Sequence, residues 1–379
     1  MKITAIISEY NPFHNGHLFQ LNKAKEETKP DITIGIMSGN FTQRGQMAIL
    51  PKDIRSKIAI KEGFDIIVEL PTIFAINNAE VFSFGGVNCI KNLPNITLSF
   101  GSESGNIDEL KKISILTKTD RYNRLVKFNL DKKLSYNVSS MNAINELTGK
   151  DFSGSNNILA IEYLKQIVSL NNNIIPHTVK RVDNYNNKSK ISNFMSANGI
   201  RMLNNKKEAI EFMPKNSYEE YMRFNPNMEN FHNFILSKMF SIEKDELADI
   251  YDVNEGFENR LKQAITTTNS YHEFIENIQT KRYSKSRINR ILLNTLLNIK
   301  KSDFNFNDEI NYISVLAINK NKIDILGYLD NYTKIITKYA DINKLNDTEK
   351  RIYEIDRKAN NLYSLINNTS VSNNMNIVK

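Results

Sequence analysis

The stretch ITAIISEYNPFHNGHLFQLNKAKEE, residues 3–27, decides how this chain folds. Ile3 to Ser8 is a short apolar run, the pattern of a strand buried on both faces. Glu9 to Gly16 holds Pro12 and Gly16, which interrupt regular structure, and reads as a loop. From His17 to Glu27, Leu18, Leu21 and Ala24 recur at helical spacing, so a helix is predicted there. A strand that passes through a short loop straight into a helix is the opening unit of a parallel α/β sheet.

The pattern repeats outward from this unit. Asp31 to Met37 is a second apolar strand, followed by the turn-rich stretch Ser38-Gly39-Asn40-Phe41-Thr42-Gln43-Arg44-Gly45. Lys52 to Glu62 reads as a helix closed by Gly63, and Asp65 to Leu70 as a third strand stopped by Pro71. Ile73 to Lys91 is predicted mostly helical. Ile96 to Phe100 is a fourth strand, ending in Gly101-Ser102-Glu103. In parallel sheets ligands sit beyond the carboxyl ends of the strands. Residues 9–17, 38–45 and 101–103 are therefore the candidate site. Asp108 to Asn171 reads as largely helical, Ile174 to Val182 as a strand and Asp183 to Lys190 as a polar loop. From Lys206 the pattern is mainly helical, with one strand signal at Tyr312 to Ile318. The expectation is an α/β, Rossmann-like parallel-sheet catalytic domain over residues 1–200 and a mainly α-helical domain over 201–366. The polar tail 367–379 is expected to be disordered.

The 379 residues carry a formal net charge of +8. That balance favours a polyanionic partner, nucleic acid ahead of membrane, against the plainer reading of a lysine-rich solvated surface. The one cysteine, Cys89, excludes a disulfide framework and a cysteine-built zinc site, and fits a reducing cytoplasm. The first apolar run is too short for a signal peptide, and no segment approaches the ~20 apolar residues of a membrane span.

His14-Asn15-Gly16-His17 is the sharpest local signal. Imidazoles donate hydrogen bonds to phosphate oxygens, and a helix start adds free N–H groups and its dipole. Gly16 would let the backbone approach a nucleotide, and the two histidines would bracket one phosphate. A metal reading is weaker, since no third ligand of matching spacing stands out. Phe13 packs against either a base or the core. Arg44, on the glycine-containing 38–45 loop, has the planar fork that grips carboxylate or phosphate. Lys52 and Arg55 share a helix start and could face the same cleft, although solvated charge is the stronger reading. Ser196 to Arg201 sets a hydroxyl, an amide and a glycine at a helix start, with Arg201 one turn in, an arrangement able to cradle phosphate. Lys281, Arg282, Lys285, Arg287 and Arg290 form a basic run without acids, with Tyr283 able to stack on a base. This run is a candidate RNA-backbone footprint. The chain has no Walker-type glycine loop and no convincing Ser-His-Asp spacing.

These residues together resemble a known family. Ser8 to His17 (SEYNPFHNGH), Met37 to Gly45 (MSGNFTQRG), Asp65 to Pro71 (DIIVELP), Phe100 to Glu103 (FGSE), Asn156 to Ile158, Lys180 to Val182 and Thr280 to Arg290 (TKRYSKSRINR) are similar to the bacterial tRNA(Met) cytidine acetate ligases. These belong to the HxGH nucleotidylyltransferase superfamily. The resemblance implies that ATP adenylates acetate and releases pyrophosphate. The wobble cytidine of elongator tRNA(Met) is then acetylated to N4-acetylcytidine, releasing AMP. It implies His14 and His17 as catalytic residues. It also implies nucleotide contacts from Ile7, Ser8, Glu9, Tyr10, Asn11, Pro12, Phe13, His14, Asn15, Gly16, His17, Leu18, Phe19 and Gln20, and from Gly101, Asn156, Arg181 and Val182. Mg²⁺ is expected with the triphosphate. In the segment similar to the superfamily's second phosphate motif, Asn198 and Gly199 stand where hydroxyl residues are usual. That removes a hydroxyl contact but leaves Arg201.

Two other readings use the same residues. A nucleotidylyltransferase acting on a small metabolite keeps the HxGH motif but leaves the basic helical half unexplained. A non-catalytic RNA-binding protein leaves the intact motif without a purpose.

Overall fold

The computed structural model describes residues 1–170, 174–181, 193–280, 283–304 and 310–379, with the Asn137 side chain left aside. The expected polar loop 183–190, Val182, Lys281 and Arg282 therefore lie outside the described residues.

The opening strand is β1 (Ile3–Ser8), and the His14 cap starts α1 (Asn15–Thr28). Then come β2 (Ile32–Ser38), α2 (Lys52–Lys61), β3 (Ile66–Leu70), α3 (Thr72–Ala75), α4 (Ala79–Asn88) and β4 (Ile96–Ser102). Four helices, α5 (Ile107–Leu116), α6 (Asp120–Asp131), α7 (Tyr136–Thr148) and α8 (Ser155–Leu170), lead to β5 (Ile175–Lys180). β1 to β5 pair in parallel in the order β5-β4-β1-β2-β3. β2 is buried along its whole length, as a central strand must be, which is why its sequence is an uninterrupted apolar run. Leu21, Ala24, Leu50 and Ile58, from α1 and the α2 region, pack with Ile6, Met37 and Ile67 on one face. Ile3, Ile34 and Val68 face the other, larger core with Phe82 and Ile161.

The predicted helix over 73–91 is interrupted. Ile76 ends α3, and the Asn78 side chain accepts from the Val81 N–H at 3.0 Å to start α4 afresh. An asparagine that caps a new helix competes with continuing the old one.

The second half is α9 (Ala197–Arg201), α10 (Lys215–Arg223), α11 (Met228–Ser241), α12 (Lys244–Ala248), α13 (Phe257–Thr267), α14 (Tyr271–Ile278) and α15 (Lys285–Leu297). It then turns back into the sheet with β6 (Tyr312–Asn319), α16 (Ile325–Leu329), β7 (Lys334–Ile336), α17 (Asp347–Asn367) and β8 (Asn376–Val378). β6 runs antiparallel to β3, with Ile66 opposite Ile318. β8 lies on the other edge of β6, because Ala317 and Ile318 pair with both neighbours. The sheet is therefore mixed at this end, and residues 312–378 complete it rather than belonging only to a helical unit. The tail expected to be disordered instead ends in β8. It is held by Asn360 Nδ2, which donates to Val371 O at 3.1 Å and to Asn373 Oδ1 at 2.7 Å.

Candidate active site

The two motif histidines define the site's floor. Gly16 N–H donates to His14 Nδ1 at 3.0 Å, and His14 N–H donates to His17 Nδ1 at 3.2 Å. A neutral imidazole whose Nδ1 accepts must carry its proton on Nε2. The rings stack with centroids 3.7 Å apart and planes at 26°. Burial, helped by Arg181 and Arg201, lowers His14 from 6.5 to about 3. Burial, with His14 and then Arg181 adding to it, pushes His17 well below the ordinary histidine range. The site thus presents two neutral Nε2–H donors side by side. The bond from His14 N–H holds the His17 ring against its neighbour. Gly16 has a nearer reason than nucleotide approach, since a Cβ there would stand 2.8 Å from His14 Cε1.

The rest of the loop holds these rings. Tyr10 takes a left-handed φ of 46° and is buried with Pro12 and Phe13. Its ring lies 4.9 Å from Phe13 and 5.0 Å from His17, centroid to centroid. Of the two readings left open for Phe13, the structure therefore gives the core one. Asn11 Oδ1 accepts from Ile49 N–H at 2.8 Å, and Asn15 Nδ2 donates to Asn193 O and Glu211 O at 2.8 and 3.0 Å. Ile7, Ser8, Leu18, Phe19 and Gln20 are half-buried along the same strand exit and first helical turns.

Lys52 and Arg55, read as solvated charge, are both buried. Lys52 Nζ donates to both Glu69 oxygens at 2.7 and 2.8 Å. Arg55 Nε donates to Leu50 O at 2.9 Å, while Nη1 reaches Glu9 O at 2.6 Å and Ser38 O at 3.0 Å, and Nη2 reaches Gly39 O. One guanidinium thereby ties the exits of β1 and β2 together. Residue type alone did not reveal this. The available signal was two cations placed directly behind a strand-exit loop whose carbonyls needed donors. The Glu9 carboxylate adds a second tie, accepting from Gln43 N–H at 2.7 Å.

Two further arginines act on the histidines, and a third, Arg44, stands beyond Arg201. Arg201 Nη1 donates to Asn11 O at 2.6 Å and Nη2 to Asn198 Oδ1 at 3.3 Å. Asn198, standing at an expected hydroxyl position, therefore orients this arginine. Ser196 Oγ accepts from Gly199 N–H at 3.1 Å and starts α9. Arg181 follows β5 and acts electrostatically on both histidines. Arg44 is exposed and close enough to lower the pKa of Arg201.

At the β4 rim, Gly101 faces open space, with nothing within 4 Å of a Cβ placed there. Glu103 caps α8, accepting from the N–H groups of Asn156 and Asn157 at 3.1 and 2.6 Å. Asn157 is buried, and its Oδ1 is taken by the N–H groups of Glu103 and Ser104. Asn156 is half-buried and gives Nδ2 to Glu103 Oε1 at 2.8 Å, which leaves its Oδ1 as an acceptor.

The basic run is less uniform than its sequence. Tyr283 is buried, stacked 3.7 Å from Phe257, and donates to Asn254 O at 2.7 Å, so it is not a platform for a base. Arg287 holds Asp252, whereas Lys285 is exposed and Arg290 half-buried. Among the described residues no group of three His, Cys, Asp or Glu is placed to hold a metal ion. Nor is any helix among them long and apolar enough to cross a membrane.

Comparison with known proteins gives the family and the fold. The family model described as HIGH Nucleotidyl Transferase matches residues 1–377. A tRNA(Met) cytidine acetate ligase of Clostridium botulinum (strain Kyoto / Type A2) is 37% identical over 397 residues, covering 97% of this chain and 95% of its own length. One of Thermosipho africanus is 35% identical, covering 96% and 95%. The crystal structure of Thermotoga maritima TmcAL bound with alpha-thio ATP superposes with a TM-score of 0.87 at 31% identity, covering 98% of this chain and 96% of that one. Its apo form gives 0.89 at 29%, covering both chains fully.

Proposed function

The chain belongs to the tRNA(Met) cytidine acetate ligases of the HIGH nucleotidyl transferase family, and on that premise we propose that it adenylates acetate with ATP and acetylates the wobble cytidine of elongator tRNA(Met). The acetate carboxylate attacks the α-phosphorus of ATP, and the bond to pyrophosphate breaks. The cytidine N4 amine then attacks the acetyl carbon, AMP leaves, and the amine loses a proton. The observation that carries this reading is the stacked pair of neutral imidazoles at the start of α1, each with its proton on Nε2. Negative charge builds on the phosphates in the first step, and preorganised donors aimed at it lower the barrier. Arg181 and Arg201 add fixed positive charge to the same place, with Arg44 further out. Asn156 Oδ1 and the open face of Gly101 would line the nucleotide's base end. Mg²⁺ would arrive with ATP as the counterion of its phosphates. A buried single cysteine and a tRNA substrate suit the cytoplasm.

The test is acetate-dependent ATP–pyrophosphate exchange, followed by N4-acetylcytidine formation on tRNA(Met). The wild-type chain should support both. His17→Ala should reduce exchange by about 10²–10³-fold, the typical cost of one lost donor, with tRNA affinity nearly unchanged. Undiminished exchange in that variant would remove the histidine from the chemistry. Exchange dependent on a small metabolite instead of acetate would remove the ligase reading.

A further inference from the structure

The cations of the 281–290 segment are not equivalent. Arg287 is consumed within the fold: Nε and Nη2 grip the Asp252 carboxylate at 2.7–3.1 Å, and its guanidinium lies 4.2 Å over the Tyr283 ring. Arg290, one turn further along α15, is half-buried yet has no hydrogen-bond or ion-pair partner among the described residues. Its nitrogens are not sealed in, because none belongs with the fully enclosed, partnerless polar atoms. The carboxylate that acts on it, Asp252, is already committed to Arg287. A half-buried guanidinium that keeps an open side and has no acceptor among the described residues is placed to meet an incoming one.

The surroundings indicate what arrives. The Arg290 backbone N lies 2.4 Å from where a Cβ at Gly45 would be, so the 38–45 loop rests directly on α15. Arg44 beside Gly45 neighbours Arg201, which in turn acts on His14. Arg201 and Arg44 thus set positive charge beside the neutral histidines, and the loop that carries Arg44 rests on the α15 backbone at Arg290. Acetate must sit against the α-phosphate, by the histidines. A long polyanion can reach Arg290 as well, and the exposed Lys285 on the same helix favours one.

We propose that Arg290 forms a recessed subsite for a backbone phosphate of the acceptor RNA, anchoring it while the target base enters the cleft. The RNA's identity rests on the ligase reading; the anion subsite does not. The test compares the full-length wild type, Arg290→Gln, Arg290→Lys and Arg287→Ala. Arg290→Gln should weaken tRNA binding about tenfold or more at ~0.1 M salt and reduce the salt slope by about 1, leaving acetate-dependent exchange within about twofold. Arg290→Lys should keep most of the slope but recover only part of the affinity, since a point charge replaces a fork. Arg287→Ala should lower the melting temperature without changing the slope. A folded Arg290→Gln with unaltered tRNA affinity and slope would overturn the proposal. So would a raised KM for acetate with tRNA binding intact. If the wild type shows no exchange while Arg290→Gln still loses RNA affinity, the function falls and the subsite stands.

Discussion

His14 spends its Nδ1 on Gly16 and lays its ring against His17, so protonation would break the arrangement twice over. Its folded pKa of about 3 lies below the ordinary 6.5. The unfolded chain therefore takes up the proton first as pH falls. The stability contributed by the neutral ring is complete above about pH 6.5 and is lost between there and about 3. Melting temperatures measured from pH 7 to pH 4 should fall less steeply in His14→Gln than in the wild type, and parallel curves would contradict the neutral, buried ring. The presence of this histidine pair was legible in the sequence, because the motif and its place between strand and helix are local features. The stacking was not, because it depends on a backbone bond closing across the helix start. Lys52 and Arg55 were misread for a related reason. Sequence shows charge but not the acceptors, and here those are Glu69 and carbonyls from two other strand exits.

Among the elements, the 38–45 loop and α15 meet at Gly45, whose φ of +67° and absent side chain both matter. Gly45→Ala would combine a strained backbone with a methyl group placed 2.4–2.8 Å from the Arg290 and Asn289 backbones. The expected outcome is a loss of about 1–3 kcal/mol in denaturant unfolding, as overpacking typically costs, with tRNA affinity falling more than ATP affinity. Equal losses for both ligands would mean that the contact is only structural. The first four strands could be read because each is a short apolar run bounded by glycine, proline or polar residues. The 73–91 helix was misjudged because Asn78, its restart signal, is also an unremarkable surface residue when seen in sequence alone.

At the scale of the molecule, the division into a catalytic sheet and a separate helical half does not describe how the chain is joined. Asn40 Nδ2, behind the second strand, donates to Asn360 Oδ1 in α17 at 2.7 Å, and the Tyr363 hydroxyl donates to Ala48 O at 3.0 Å. β6 covers the edge of β3. Tyr312 to Ile318 was recognisable as a strand. Its partner, some 250 residues earlier, was not, because pairing at that separation leaves no local trace. A fragment of residues 1–200 is expected to aggregate or stay partly unfolded, since it would expose the apolar β3 edge. A soluble fragment with a cooperative thermal transition and ATP affinity equal to the full chain would contradict this.

The same closure bears on biosynthesis. A ribosome elongating this polypeptide delivers the HNGH loop well before the strand that shields β3. Cotranslational folding can shape the early βα units but cannot finish the sheet that supports them. An incomplete sheet must wait, with a hydrophobic border uncovered, for most of the translation time. Competence to bind nucleotide in its final form would then be acquired only once β6 has been made, and a nascent chain stalled before residue 312 would depend on chaperones.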